Sequence, residues 1–229
     1  MNAALVNKWE TKMILDKQQT KNLYRKRAKN YDSAMWLYRI AGVRINQYRQ
    51  DAIEALGLKR GETVVELGCG TGLNFPYLHK AVGEVGRIVG VDLADAMLEQ
   101  AHQRVMKSRW GNVELIQADL LKYTIPKNVE GVLSSLAIML VPEYDEIIQR
   151  GAKALKPGGR LAILDFKEPE NWPVWLIRFA AWLNKPYGVS LELADRKPME
   201  SVRRYLKEVK YREYYHGVLY LSAGERVEG

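Results

Sequence analysis

Acidic residues stand where short apolar runs of this sequence end, and the first of them is followed at once by glycines. Glu66 precedes the segment GCGTG, in which Gly68, Gly70 and Gly72 occupy alternate positions. Glycine adopts positive φ readily, and without a Cβ it lets a ligand approach the backbone closely. The pattern predicts a loop that cradles a cofactor, although a tight strand-to-helix turn without a ligand has the same composition.

The spacing of the glycines narrows the kind of cofactor. A dinucleotide fingerprint has the spacing G-x-G-x-x-G, and a P-loop needs a lysine followed by serine or threonine. This loop has the spacing G-x-G-x-G and no such lysine. The carboxylate of Glu66 is also a poor neighbour for a phosphate and a good one for a cation. We therefore expect a cofactor with a positive charge and without a phosphate at this position.

Two further acids complete the chemistry of this cofactor. Asp92 lies 20 residues beyond Gly72, where an acid can accept both hydroxyls of a ribose. Asp119, in the segment QADLL, can accept a hydrogen bond from an adenine amino group. An adenosine that carries a positive amino-acid tail suits all of these residues. S-adenosylmethionine has this structure.

Short β-rich segments alternate with helical ones and must position these side chains. Strands are predicted over 63–67, 87–91, 113–117, 130–135 and 159–165, and helices near 73–81, 95–107 and 143–155. Strands separated by helices predict a parallel sheet that is covered on both faces. Residues 209–225 predict two strands joined near Gly217, and these must be antiparallel because no crossover helix fits between them.

The segments VVELGCGTG, VGVDLADAMLEQA, IQADLLKY and ALKPGGRLAILD resemble the successive motifs of class I S-adenosylmethionine-dependent methyltransferases. The resemblance covers roughly residues 20–225. Within this superfamily, YRKRAKNYD and YYHGVLYLSAGE resemble the quinone and phospholipid methyltransferases, and GTGLNFPYL resembles bacterial phospholipid N-methyltransferases. The resemblance implies an α/β, Rossmann-like sheet of seven mostly parallel strands, with an antiparallel last strand and helices on both faces.

The same resemblance implies the cofactor-binding residues. These are Glu66, Gly68, Cys69, Gly70, Gly72 and Ser134 at the methionine end, Asp92 and Leu93 at the ribose, and Met97, Asp119 and Leu120 at the adenine. Met97 also fits ordinary helix packing. Ser135 is expected on the acceptor side, although one of the two serines fits a simple strand-end hydrogen bond.

The acceptor site is expected between an N-terminal lid, residues 1–40, and an insertion at 169–200 within a methyltransferase domain of residues 41–229. Tyr24 and Tyr31 are seven residues apart and would share a helix face. The resemblance implies that Tyr31 contacts the cofactor and takes part in catalysis, and that Tyr24 contacts the acceptor. The alternative is that both rings only dock the helix on the core.

Two further regions could serve the acceptor. His216 is the candidate general base near neutral pH, although a single histidine is often structural. In the insertion, Trp172, Trp175 and Arg178 could form a lipid-binding lip, because tryptophan beside cations suits a membrane interface. A helix that packs on the core would have the same apolar stripe.

The charge of the chain suggests its partners. The net charge is +8, and residues 1–30 hold eight Lys or Arg against two acids. Such a segment is attracted to an anionic phospholipid surface or is simply a solvated helix face. Nucleic acid is not expected as a partner, because the cations precede the fold. Cys69 is the only cysteine, so neither a disulfide nor a metal cluster is expected.

Without a signal-like or membrane-spanning apolar run, the sequence predicts a cytoplasmic protein, with peripheral contact at the inner face of the membrane as an option. The leading functional hypothesis is methyl transfer to a hydrophobic or amphiphilic acceptor, above all the amine of phosphatidylethanolamine or a similar lipid. One alternative is carbon or oxygen methylation of a quinone or small aromatic metabolite. Another is a protein that binds S-adenosylmethionine without turnover.

Overall fold

The computed structural model describes residues 17–40, 42–169 and 196–228, together with 172, 173, 175 and 193. The helices are α1 (Lys17–Ile40), α2 (Ile45–Ala55), α3 (Phe75–Val82), α4 (Asp95–Ser108), α5 (Tyr144–Ala154) and α6 (Pro198–Tyr205). The strands are β1 (Thr63–Leu67), β2 (Arg87–Asp92), β3 (Val113–Gln117), β4 (Val129–Ser135), β5 (Leu155–Phe166), β6 (Lys207–Tyr214) and β7 (Leu219–Glu225). A short 3-10 turn spans Ile138–Leu140.

The seven strands form one sheet in the order β3-β2-β1-β4-β5-β7-β6. Strands β1 to β5 pair in parallel, and β7 is antiparallel to both of its neighbours, β5 and β6. The predicted Rossmann-like sheet with an antiparallel last strand is therefore confirmed. The chain moves outward from β1 to β3 and then returns to place β4 on the other side of β1. This reversal leaves a crevice at the carboxyl ends of the central strands, where ligands bind in open α/β sheets.

Both faces of the sheet are buried, so the central strands read as continuous apolar runs rather than alternating ones. Val64 and Val65 are adjacent in β1 and both have no exposed surface, yet they belong to the cores on opposite faces. Helices α2, α3 and α4 cover one face, and α5 and α6 cover the other.

The start of β5 differs from the predicted bound. The strand begins at Leu155 rather than at residue 159, because Leu155 already pairs with Val129 of β4. The Pro-Gly-Gly segment that follows forms an irregular part of the strand, with Gly158 at a φ of +77°. Gly158 and Gly159 exchange backbone hydrogen bonds with Arg226. The proline and the glycines thus follow the end of α5 without interrupting the strand.

Helix α1 packs on α4 through a small apolar cluster. Ala28 lies with Ala94 and Met97, and Tyr24 and Tyr31 pack against them. None of the described helices has the combination of length and apolar composition needed to cross a bilayer. The division of the chain at residue 40 stays a prediction.

Candidate functional site

A cavity of about 470 Å³ opens at the carboxyl ends of the central strands, beneath α1. Its volume lies in the range of small-molecule sites. Twelve of the residues that the sequence predicted for the site line it: Tyr24, Tyr31, Glu66, Gly68, Cys69, Gly70, Asp92, Leu93, Met97, Asp119, Leu120 and Ser135. The folding of β1, β2 and β3 side by side brings these segments together.

The glycine loop forms the floor of the cavity. Gly68, Gly70 and Gly72 all have positive φ, at 76°, 54° and 75°. A Cβ on Gly68 would collide with the side chain of Ala137, and one on Gly72 would lie 2.6 Å from the ring of Phe75. A Cβ on Gly70 would meet nothing within 4 Å. Gly70 is therefore the bare position beside open space, whereas Gly72 is needed for packing and does not line the cavity.

Asp92 holds this loop from the end of β2. Its Oδ2 accepts a hydrogen bond from the Gly70 N–H at 2.8 Å, and its Oδ1 accepts one from the Ala94 N–H at 2.9 Å. Burial raises the pKa of Asp92, while these backbone N–H groups act in the opposite direction. Each carboxylate oxygen has a second lone pair, so the same group can also accept from two vicinal hydroxyls.

The neighbouring wall suits a flat ring. Met97 and Leu120 are buried side chains that line the cavity, and Asp119 lies beside Leu120. The Oδ1 of Asp119 accepts the Leu121 N–H at 3.0 Å, which fixes the carboxylate at the end of β3. Met97 also packs in the cluster below α1, as the packing interpretation expects, and its contact with adenine stays a prediction.

Glu66 is buried at the end of β1. Its Oε1 accepts a hydrogen bond from the Asn74 side-chain amide at 2.5 Å, and its Oε2 has no partner among the described residues. Burial raises the pKa of Glu66 to about 8, against the lowering effects of Asn74 and Arg49. Arg49, which also lines the cavity, donates to Asn74 Oδ1 at 3.0 Å. Sequence reasoning missed Arg49 and Asn74.

Helix α1 closes one side of the cavity. The rings of Tyr24 and Tyr31 line it, with their centroids 6.4 Å apart. The Thr71 hydroxyl in the glycine loop donates to Asp32 at 2.7 Å, and Arg104 of α4 forms an ion pair with the same carboxylate. Helix α1 is thus hydrogen-bonded to the glycine loop, and both its role as a lid and the catalytic role of Tyr31 stay predictions.

Several predicted residues lie elsewhere. Ser134 is buried and donates to the Leu67 carbonyl at 3.0 Å, so it is the strand-end hydrogen bond and Ser135 is the serine in the cavity. His216 is exposed in the turn between β6 and β7, at a φ of +55°. That turn lies at the same edge of the sheet as the cavity, which is formed by the carboxyl ends of the parallel strands. However, β5 and β7 separate the turn from β4. The structure therefore does not bring His216 into the cavity.

The insertion contributes nothing to the cavity lining in the part of it that the structure describes. Trp172 is half-buried outside the cavity, and Trp175 is 69% exposed. Arg178 lies outside the described residues. The segment after β4 forms the remaining wall instead, and sequence reasoning missed its role. Its lining residues are Leu136, Ala137, Leu140, Val141, Pro142 and Glu143.

Comparison with known proteins agrees with this geometry. A family model described as a methyltransferase domain matches residues 64–159. The ubiquinone/menaquinone biosynthesis C-methyltransferase of Pseudomonas putida (strain GB-1) is 34% identical over 126 residues, which are 54% of this chain and 49% of that protein. The demethylmenaquinone methyltransferase of Listeria welshimeri is 28% identical over 59% of this chain and 58% of that protein. The chain thus spans only about half to three fifths of the length of these relatives.

Solved structures share the fold. A SAM-dependent methyltransferase from Aquifex aeolicus has a TM-score of 0.56 and 24% identity, over 78% of this chain and 89% of that one. Geranyl diphosphate C-methyltransferase from Streptomyces coelicolor A3(2), solved with S-adenosyl-L-homocysteine, has a TM-score of 0.63 and 17% identity, over 80% and 79%. With the sheet order and the glycine loop, these matches show that the chain has the fold of the class I S-adenosylmethionine-dependent methyltransferases.

Proposed function

We propose that this protein transfers a methyl group from S-adenosylmethionine to a small acceptor at the mouth of the cavity. One observation carries the proposal. Glu66, Asp92 and Asp119 lie at or just beyond the carboxyl ends of three neighbouring strands, and all three line the same cavity as the bare backbone of Gly70. An adenosine with a cationic amino-acid tail presents a hydrogen-bond donor or a positive charge to each of these acids.

The residues at the methionine end fit the cofactor. Three buried polar atoms without a partner among the described residues are Arg49 Nε, Glu66 Oε2 and Ser135 Oγ, and all three residues line the cavity. An unpaired buried polar atom is costly, so these three atoms suit a polar ligand that would pair with them. The cofactor's ammonium and carboxylate groups would supply partners of both signs.

In methyl transfer the cofactor, when bound, supplies a methyl group that is already activated on a positively charged sulfur. The tasks left to the chain are alignment and exclusion of water. Asp92 would hold the ribose, and Met97 and Leu120 would cover the adenine. Tyr24 and Tyr31 on α1 would shield the reacting atoms from bulk water. We assign no general base among the described residues.

The acceptor that we propose is a quinone-type or other small aromatic ring, methylated at carbon or oxygen. Five of the lining residues in the segment after β4 are apolar, from Leu136 to Pro142, and present a surface that suits a ring. The curated relatives are named as methyltransferases of ubiquinone and menaquinone biosynthesis, which supports a quinone acceptor. The names of these relatives favour this acceptor over the amine of phosphatidylethanolamine, which was the leading hypothesis from the sequence.

The lipid amine remains a second candidate on one specific observation. Glu143 adds a carboxylate to the cavity lining, and a carboxylate there could bind the ammonium headgroup of phosphatidylethanolamine. The exposed cations Arg25 and Lys26 on α1 would then face an anionic membrane surface. Peripheral membrane contact belongs to this candidate alone.

A labelling experiment separates the candidates. The full chain is incubated with methyl-labelled S-adenosylmethionine and either a prenylated naphthoquinol that lacks the ring methyl group or vesicles of phosphatidylethanolamine. We expect label in the quinol, and none with the variant Asp92→Ala. Label in the lipid would favour the second candidate. If neither acceptor is labelled by a chain that still binds S-adenosylhomocysteine, the protein is a binder of the cofactor without turnover on these acceptors.

A further inference from the structure

The segment after β4 that lines the cavity begins in an uncommon backbone conformation. Leu136 has a φ of +57°, a value that a residue with a bulky side chain rarely adopts. Such a conformation persists only where the surrounding structure holds it. The N–H of Leu136 donates to the Leu164 carbonyl at 2.7 Å, and β5, which contains Leu164, pairs with β4 in the sheet. The segment therefore takes its first support from the end of β5.

Asp165, the next residue of β5, supports the segment with its side chain. It is fully buried, and its Oδ2 accepts a hydrogen bond from the Met139 N–H at 3.1 Å, while its Oδ1 accepts one from the Phe166 N–H at 2.9 Å. A backbone hydrogen bond from Ala137 stabilises the same carboxylate. A carboxylate has two acceptor oxygens and no donor, whereas an amide of the same size has only one acceptor oxygen. The acid is therefore suited to bind several backbone N–H groups of this segment at once.

Arg196 binds the other polar group of the Met139 backbone. Its Nη1 donates to the Met139 carbonyl at 2.5 Å. Met139 is buried, and a buried backbone group without a partner is costly, so both of its bonds matter to the local structure. Arg196 is half-buried and lies near the end of the predicted insertion 169–200. Asp165 and Arg196 together thus fix the middle residue of the turn Ile138–Leu140.

The two side chains act on the cavity only through this turn. Leu136, Ala137 and Leu140 line the cavity, whereas Met139, Asp165 and Arg196 do not. Any shift of the turn would move the apolar surface that we propose for the acceptor ring. A displacement of about 1 Å, even one that starts away from the reacting atoms, is enough to lower a rate strongly.

We propose that Asp165 and Arg196 are positioning residues for the acceptor, because they fix the turn that places Leu136 and Leu140 in the cavity wall. The inference rests on the proposed function, since it takes this wall to be the place where the acceptor lies. Neither side chain touches a reacting group, and no covalent step is involved. Arg196 also connects the end of the insertion to the wall. The insertion thereby gains a role in acceptor binding, although none of its described residues lines the cavity.

Steady-state kinetics with the full chain separate positioning of the acceptor from general support of the fold. In Asp165→Asn the KM of the prenylated naphthoquinol should rise about fivefold, as expected for one lost hydrogen bond, while the Kd of S-adenosylhomocysteine should change by no more than about twofold. Asp51→Asn is the matched control, because Asp51 is also buried, accepts the Tyr214 hydroxyl at 2.7 Å and lies outside the cavity lining. It should lower stability without raising this KM. Equal changes of KM and Kd in Asp165→Asn would overturn the inference.

Hydrogen exchange measured by mass spectrometry needs no acceptor, so it tests the inference apart from the proposed function. Residues 136–141 should exchange about fivefold faster in Asp165→Asn than in wild type, and β2 should exchange at the same rate in both. Arg196→Met removes the donor to Met139 and should have the same effect, whereas Arg196→Lys keeps a donor and should restore slow exchange. This second pair decides the question if Asp165→Asn does not fold.

The outcomes distinguish the two proposals. Unchanged exchange of residues 136–141 in these variants overturns the inference and leaves the proposed function standing. A wild-type chain that methylates neither the quinol nor the lipid, with exchange responding as expected, overturns the proposed function and with it the acceptor role of Asp165 and Arg196.

Discussion

The side chain of Asp32 accepts a hydrogen bond from the Thr71 hydroxyl at 2.7 Å, and this bond joins helix α1 to the glycine loop. Arg104 of α4 strengthens the junction, because its guanidinium donates both to Asp32 and to the Thr71 carbonyl. Helix α1, the proposed lid, is therefore joined to the glycine loop by the hydrogen bonds of Asp32 and Arg104. Whatever moves α1 away from the cavity must break hydrogen bonds to the loop.

Removal of the Asp32 side chain should weaken the binding of S-adenosylhomocysteine as well as the fold. The ion pair between Asp32 and Arg104 is partly exposed, and exposed pairs contribute about 0–1 kcal/mol to stability. We expect Asp32→Ala to bind S-adenosylhomocysteine roughly fivefold more weakly, from one lost hydrogen bond of about 1 kcal/mol. Calorimetry and urea unfolding measure the two effects. Glu114→Gln, which breaks the exposed ion pair with Arg87, should leave the affinity unchanged. If Asp32→Ala binds S-adenosylhomocysteine as tightly as wild type does, the contact between α1 and the glycine loop does not contribute to binding.

Asp92→Ala should weaken the binding of S-adenosylhomocysteine by about 1.5–3 kcal/mol, which is roughly a 10- to 150-fold loss of affinity. The variant loses a charged acceptor for the ribose hydroxyls and also frees the Gly70 N–H. Asp92→Asn keeps the size and one acceptor oxygen, so its loss should be smaller. The assignment of Asp92 to the ribose fails if a folded Asp92→Ala chain binds the ligand as wild type does.

Tyr31→Phe tests whether the lid takes part in the reaction. Tyr31 lines the cavity and its ring packs near Met97, so loss of the hydroxyl leaves the ring packing intact. We expect turnover to fall about three- to tenfold, in proportion to a lost hydrogen bond of about 0.5–1.5 kcal/mol, with little change in thermal unfolding. Tyr77→Phe, at a half-buried tyrosine on α3 outside the cavity lining, is the matched control and should keep full turnover. Full activity of Tyr31→Phe, or a loss explained by unfolding, would return Tyr31 to a packing role.

Asp165 should make the stability of the fold depend on pH. It is fully buried at the end of β5, where burial raises its pKa to about 7 despite hydrogen bonds from the Met139 and Phe166 N–H groups. An unfolded aspartate has a pKa of about 3.9. Between these values the folded chain binds a proton that the unfolded chain lacks, so stability falls as the pH rises from about 4 to 7 and does not fall further on its account above that range.

Urea unfolding at about pH 5 and pH 7.5 measures this effect, to which Glu66 adds in the same direction. The decrease with pH should be smaller in Asp165→Asn than in wild type by roughly 2–3 kcal/mol. Asp145→Asn is the control, because hydrogen bonds from Ser201 and Tyr205 lower the pKa of Asp145, which is then ionised throughout this range. An equal pH dependence in wild type and Asp165→Asn would contradict the prediction.

The alternation of strands and helices allowed most of this architecture to be predicted from the sequence, and the bounds of β1 and β3 agree with the prediction. Local patterns also identified the glycine loop and Asp92. Arg49 could not be found in this way, because its role arises from a contact with Asn74, 25 residues away, that only the packing of α2 creates.

The roles of residues outside the sequence motifs of the sheet were harder to predict for a similar reason. Ser134 and Ser135 point to opposite faces of β4, and the sequence around them does not tell which face the cavity adjoins. The distance of His216 from the cavity follows from the insertion of β7 between β5 and β6. Strand order is a property of the whole sheet, so no short segment of the sequence reports it.

The contact between Gly68 and Ala137 has a consequence for attempts to redirect the proposed methyl transfer towards other acceptors. A Cβ on Gly68 would collide with the side chain of Ala137, so the glycine loop is already in contact with the segment after β4 that lines the cavity. Replacement of residues 136–143 by the corresponding segment of a methyltransferase would therefore also change the contacts that support the glycine loop. Position 137 must keep a small side chain in any such graft, and the residues from Leu140 onward offer the freer choice.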